Sequence, residues 1–117
     1  MAYVDAFLFA LPKSEIETYK EVARLAEVLW KENGALAYVE CIADDVSYGE
    51  LTSFPRAVMA KEDETVVVSW IVHESREARD RINAEVMKDQ RMIDAMGRLT
   101  ADMNRMIYGG FQPFLGV

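Results

Sequence analysis

The 117-residue sequence predicts an α+β fold of ferredoxin-like type, a βαββαβ sandwich with a short helical insert before its last strand. Two observations carry this expectation. Segments with strand patterning and segments with helical period follow one another in the order β-α-β-β-α-β. The first and third strand segments are also apolar on both alternating faces, so the sheet needs cover on two sides. The length suits one domain, residues 1–117.

Residues 2–11, AYVDAFLFAL, read as the first strand, with Asp5 as its one charge on the face shared by Tyr3, Phe7, Phe9 and Leu11. Pro12 ends it. Ser14 and Glu17 have the spacing of a capping box, which predicts a helix over about 15–32. Ile16, Tyr19, Ala23, Ala26 and Trp30 recur at helical spacing behind it, and Val22 and Leu29 widen the stripe. Asn33 and Gly34 supply a left-handed stop. The second strand, 35–43, has a small face (Ala37, Val39, Cys41) and a larger mixed one (Leu36, Tyr38, Glu40, Ile42). A long acidic connection follows, and connections of that length carry structure or function of their own. Residues 65–73, strongly β-branched, form the third strand.

Ser75 caps a second helix over about 76–87, with Ala78, Ile82 and Val86 inward. Met92, Met96, Leu99 and Met103 suggest a third, shorter helix weakened by Gly97, with its methionines in the core. The last strand runs from about 106 to 115. Pro113 puts it at a sheet edge, and Gly109 with Gly110 suggests a bulge or a close backbone approach.

Two helices cover only one face of such a sheet. The same face of a second copy, related by a two-fold axis, is the simplest cover for the other. The expected state is a homodimer whose sheets close into an α/β barrel. Twenty acids stand against 13 bases, a formal charge of −7, and no basic cluster breaks the balance, so no nucleic-acid partner is expected. Cys41 is the single cysteine, which excludes an intrachain disulfide and suits a reducing compartment. No signal-peptide pattern and no apolar run near the ~20 residues of a membrane span occurs, so a cytoplasmic protein without membrane contact is expected.

The YVDAF start, ALAYVECIADDV, LTSFPRAV, VVSWIV, RDRINAEVMKD and RMIYGGF resemble, in this order, the YbaA-like family of bacterial proteins. The resemblance covers nearly the whole chain. It implies a domain of unknown function within the dimeric α/β-barrel superfamily, and so implies fold and dimerisation rather than a reaction. The wider superfamily includes cofactor-free monooxygenases and haem-degrading enzymes. Its third strand often ends in an aromatic residue followed by Glu-Ser; here His73 takes the aromatic position before Glu74 and Ser75. The Asn-Trp-His set of the haem degraders has no counterpart, and Asp5 stands in the first strand where such an Asn is expected.

His73 is the only histidine, and it could serve as a general base oriented by Asp5 or Glu74. Asp5, Tyr38, Glu40 and Tyr108 share one sheet face by alternation, the mixture of polar and aromatic groups a ligand cavity requires. Trp70 is three residues from His73, hence on the other face. Phe54 and Arg56 combine an aromatic group and a cation in the long connection, and either Arg56 or Arg105 could hold a carboxylate. Cys41 should be buried and inert. Asp44 and Asp45 lack further ligands at metal spacing, so no metal and no cofactor is expected.

The expected function is binding of a small apolar or aromatic molecule. Its ligand-binding residues would be Tyr38, Glu40, Phe54, Arg56, Trp70 and Arg105. An alternative is a cofactor-independent monooxygenase or isomerase using His73, Asp5 and Tyr108. Another is a ligand-free dimer acting on a protein partner.

Overall fold

The computed structural model describes all 117 residues. Strands β1 (Tyr3–Pro12), β2 (Ala37–Ile42), β3 (Glu64–His73) and β4 (Ile107–Phe111) form one sheet. Its order is β2-β3-β1-β4 and every neighbouring pair is antiparallel, the ferredoxin-like arrangement predicted. The helices are α1 (Ile16–Glu32), α2 (Phe54–Ala57), α3 (Arg76–Met87) and α4 (Gln90–Met96). α4 and a 3-10 turn at Met103–Arg105 form the insert before β4. β4 lies at an edge as expected, but it stops at Phe111, so Pro113 lies beyond it and is not what confines the strand there.

The capping box does not form. Pro12 leads into a 3-10 turn at Lys13–Glu15, and the Lys13 amide donates to the Asp63 carbonyl at 2.9 Å, tying this corner to the start of β3. Glu15 becomes the N-cap of α1 without a side-chain cap bond. Its carboxylate instead accepts from Thr100, the amide at 2.7 Å and the hydroxyl at the other oxygen. The far end of α1 closes as expected. The Gly34 amide donates to Lys31 and the Ala35 amide to Trp30, while Gly34 takes φ 117°, a conformation side chains other than glycine's rarely adopt. α3 begins where Ser75 Oγ accepts from the Ala78 amide at 3.0 Å.

The helical stripes meet on one sheet face. Val22, Ala26, Leu29 and Trp30 of α1, Ile82 and Val86 of α3, and Met92 and Ala95 of α4 enclose Ile71 of β3. Full burial of Leu29 or Ile82 contributes about 1.5–3 kcal/mol each. The helix predicted over the methionine stripe is broken, because α4 ends at Gly97.

The other sheet face carries only the short helix α2, at one end. The connection after β2 covers one end of it, where Val58 is fully buried against Ala10 and Val66. Trp70 remains 37% exposed and Cys41 is also exposed, so the expectation of an inert buried thiol is corrected. The reason is the bare face rather than the strand, since alternation places Cys41 where predicted. No helix is long and apolar enough to cross a membrane.

Candidate functional site

Antiparallel register sets the site in rows. Tyr38, Ile71, Asp5 and Gly110 lie side by side across β2, β3, β1 and β4 on the helix-covered face. Glu40, Ser69, Phe7 and Tyr108 form the next row on the same face, two residues along. Between these rows and the helices is a cavity of about 420 Å³, within the range that takes a small organic ligand. Fifteen of its 21 lining residues are hydrophobic, so polar contacts are few and placed. Phe7, Phe9, Trp30 and five methionines (Met87, Met92, Met96, Met103, Met106) are part of the apolar wall. Of the methionines predicted as core, Met92 is in the core and also borders the cavity, while Met96 and Met103 line it, which their flexible thioethers suit.

One polar cluster surrounds Asp5, which is only 3% exposed. Oδ1 accepts from Arg79 at 2.5 Å, and Oδ2 accepts a longer bond from the Asn83 amide at 3.4 Å. The Asn83 carbonyl accepts from the Trp30 indole at 3.1 Å. Arg79 also pairs with Asp80 at 2.7 Å and lies 4.9 Å above the Tyr3 ring. The Arg79 guanidinium supplies the counter-charge that the buried Asp5 carboxylate needs.

His73 lies behind Asp5, not in the cavity wall. It is fully buried, neither ring nitrogen has a hydrogen-bond partner, and Nε2 is 3.6 Å from Asp5 Oδ2. Burial pushes its pKa below the usual value; Asp5 opposes this and Arg79 adds to it. The imidazole is consequently neutral at pH 7.

The second cluster has Glu40 at its centre. Oε1 accepts from the Tyr19 hydroxyl at 2.7 Å and Oε2 from the Tyr38 hydroxyl at 2.6 Å. Burial raises the Glu40 carboxyl above the ordinary carboxylate range, and the two phenol hydrogen bonds only partly offset that. Both phenols are pushed up in turn, by burial first and then by the Glu40 charge.

Asp5, Tyr38, Glu40 and Tyr108 thus meet in one cavity, with Tyr108 at its rim and 70% exposed. Four other residues singled out in the sequence lie elsewhere. Trp70 is on the uncovered sheet face. Phe54 lines a smaller hollow of about 170 Å³ with Cys41 and Val68. Arg56 clamps the long connection, donating to the Tyr48 and Gly49 carbonyls at 2.9 and 3.0 Å with Tyr48's ring beneath it. Arg105 holds Glu64 through two bonds, 2.8 and 2.7 Å, and lowers that carboxyl to about 2.

Tyr19, Trp30, Arg79 and Asn83 were not anticipated as site residues. A usable signal existed for each. Tyr19 and Trp30 stand on the inward stripe of α1, where a hydroxyl or indole needs a partner. Arg79 and Asn83 are spaced i, i+4 beside the Ile82 stripe, within reach of a buried acid that must be paired.

A family model described as protein of unknown function (DUF1428) matches residues 2–103. The chain is 46% identical over 115 residues to the uncharacterized protein YbaA of Escherichia coli K12, covering 98% of each. The same figures hold for YbaA of Shigella flexneri, 46% over 115 residues. Among solved structures, SnoaB, a cofactor-independent oxygenase from Streptomyces nogalater, matches with a TM-score of 0.55 at 11% identity. That match covers 99% of this chain and 96% of SnoaB, and it shows a shared fold.

Proposed function

Since the chain belongs to DUF1428, a family of unknown function, we propose a function from its site: a homodimer that binds a small molecule with an apolar or aromatic body. The observation that carries this is the cavity between helices and sheet, about 420 Å³, with Phe, Trp and Met walls and two separate polar clusters. A wall of that kind holds a flat apolar body, and the clusters fix its orientation. The uncovered sheet face supports the dimer.

The two tryptophans make the binding test direct. Trp30 lines the cavity and Trp70 does not. In Trp70→Phe, the remaining indole should report ligand by a saturable fluorescence change across a panel of small aromatic compounds. Ala23→Phe, which places a ring in the cavity, should weaken that binding by at least about tenfold. A panel that leaves Trp30 unchanged, or binds the filled variant equally well, removes the proposal.

A second reading, a cofactor-independent oxygenase or isomerase, is favoured by Glu40, a carboxylate of raised proton affinity facing the cavity. Asp5 and Tyr108 also face it, and His73 backs Asp5. Aerobic incubation with each bound compound, followed by product analysis and oxygen uptake, separates catalysis from binding. Compounds recovered unchanged leave a binding protein.

A further inference from the structure

Glu40 is the ionisable group in the cavity without a counter-charge. Asp5 has Arg79 at 2.5 Å. Glu40 has two phenols and no cation: its hydrogen-bond partners are Tyr19 and Tyr38, and no positive group contributes to its titration. A further charge acting on this cluster is also acidic: Glu27 acts on Tyr38 from the same helix that carries Tyr19, and its own partner is Lys31 at 3.1 Å. Both phenol protons are committed to Glu40. The hydrogen-bonding capacity that remains at this end is therefore acceptor only: the second lone pairs of the carboxylate and those of the two phenol oxygens. A ligand group seated here must donate.

The surroundings narrow the choice further. Trp30 lies 5.8 Å from Tyr38 between ring centroids, and Phe9 lies 5.3 Å from Tyr19. A carboxylate without a counter-ion, set among aromatic rings rather than water, attracts a cation through its full charge. A hydrated metal ion does not suit the position. No group of three or more His, Cys, Asp or Glu side chains is available to hold one, and the adjoining wall is Phe and Met. A carboxylate ligand would meet like charge at Glu40, and Arg79 at the other cluster is already shared by Asp5 and Asp80.

We propose that the cavity takes an organic ammonium ion, its N–H donors on Glu40 between Tyr19 and Tyr38 and its apolar or aromatic body along Phe7, Phe9 and the methionines. This rests on the cavity being a ligand site and specifies the chemistry of what enters.

Three compounds of one shape test it: phenethylamine, phenethyl alcohol and phenylacetate, titrated by calorimetry into wild-type protein and Glu40→Gln. The amine should bind at least about tenfold more tightly than the alcohol, with phenylacetate weakest. In Glu40→Gln the amine should fall to the affinity of the alcohol while the alcohol changes little. A wild-type measurement serves if that variant does not fold. Amine affinity should decline on acidification as Glu40 takes up a proton, while alcohol affinity stays level. Alcohol binding equal to the amine, an amine preference that survives Glu40→Gln, or a pH-independent amine affinity each overturns the ammonium assignment and leaves the cavity as a ligand site. Tightest binding of phenylacetate overturns it in favour of Arg79. Failure of all three to bind overturns both the assignment and the cavity reading.

Discussion

His73 shows how one buried group couples stability to pH. Its pKa in the folded protein is below the ordinary 6.5, so the unfolded chain takes up the proton more readily. Stability connected with His73 is therefore complete above pH 6.5 and declines as pH falls below it. Two unpartnered ring nitrogens in a fully buried side chain also carry a desolvation cost. His73→Leu, close in volume, should fold with stability at neutral pH within about 1.5 kcal/mol of wild type. Its loss of stability just below pH 6.5 should be shallower, as urea midpoints across a pH series would show. Ligand affinity should change little, because the ring lies outside the cavity wall. An equally steep decline would mean that other groups dominate that pH range. The histidine was conspicuous in the sequence as the sole one of its kind. Its burial behind Asp5 was not, because that depends on long-range packing that no local pattern records.

Among the elements, β4 carries a constraint its composition announces only halfway. Gly109 and Gly110 suggested either a bulge or a close approach. The register with β1 is continuous from Val4–Phe111 to Leu8–Ile107, so there is no bulge. The close approach is Tyr3, whose ring occupies the space a Cβ at Gly110 would need. That ring also lies under Arg79, so β4 helps place the cation that neutralises Asp5. Gly110→Ala should destabilise the protein by about 1–3 kcal/mol through overpacking. In a Tyr3→Ala background the cost should shrink by at least half, and a double-mutant cycle on denaturant unfolding measures the coupling. Additive costs would show that the ring yields freely. The start of α1 teaches a related lesson. Ser14 and Glu17 had the right spacing for a capping box, yet a bond from Lys13 to Asp63 holds the corner in a 3-10 turn. A long-range contact overrode a local preference of about 1 kcal/mol.

For the whole molecule, the two faces of the sheet divide the work. The helix-covered face holds the cavity. The other leaves Val4, Ala6, Val39 and Trp70 without a helix over them, and the long connection reaches only the end near Val58. A second copy placed face to face would remove this surface from water, which favours association. Sedimentation equilibrium of the wild type should show a dimer at micromolar concentration. Trp70→Asp, at a position 37% exposed in one chain, should leave the fold intact by circular dichroism and shift the protein to monomer, with Kd raised at least about a hundredfold. A wild-type monomer at that concentration would overturn the dimer.

The order and type of the main elements were legible along the chain because they rest on short-range regularities. These are the inward stripe from Ile16 to Trp30, the left-handed stop at Gly34, the Ser75 cap, and the β-branched run from Thr65 to His73. Alternation alone also put Asp5, Tyr38, Glu40 and Tyr108 on one sheet face and Trp70 on the other, since side-chain direction in a strand has a period of two. What each of these groups faces depends on residues far away in sequence. Asp5 meets Arg79 and Asn83 more than 70 positions on, and Glu40 meets Tyr19 across 21. Whether the methionines fill the core or leave a cavity depends on how far α4 stands from the sheet once Gly97 ends it. Those outcomes follow from the packing of helices on a sheet, where distance and angle decide which side chains meet, and no local pattern encodes either.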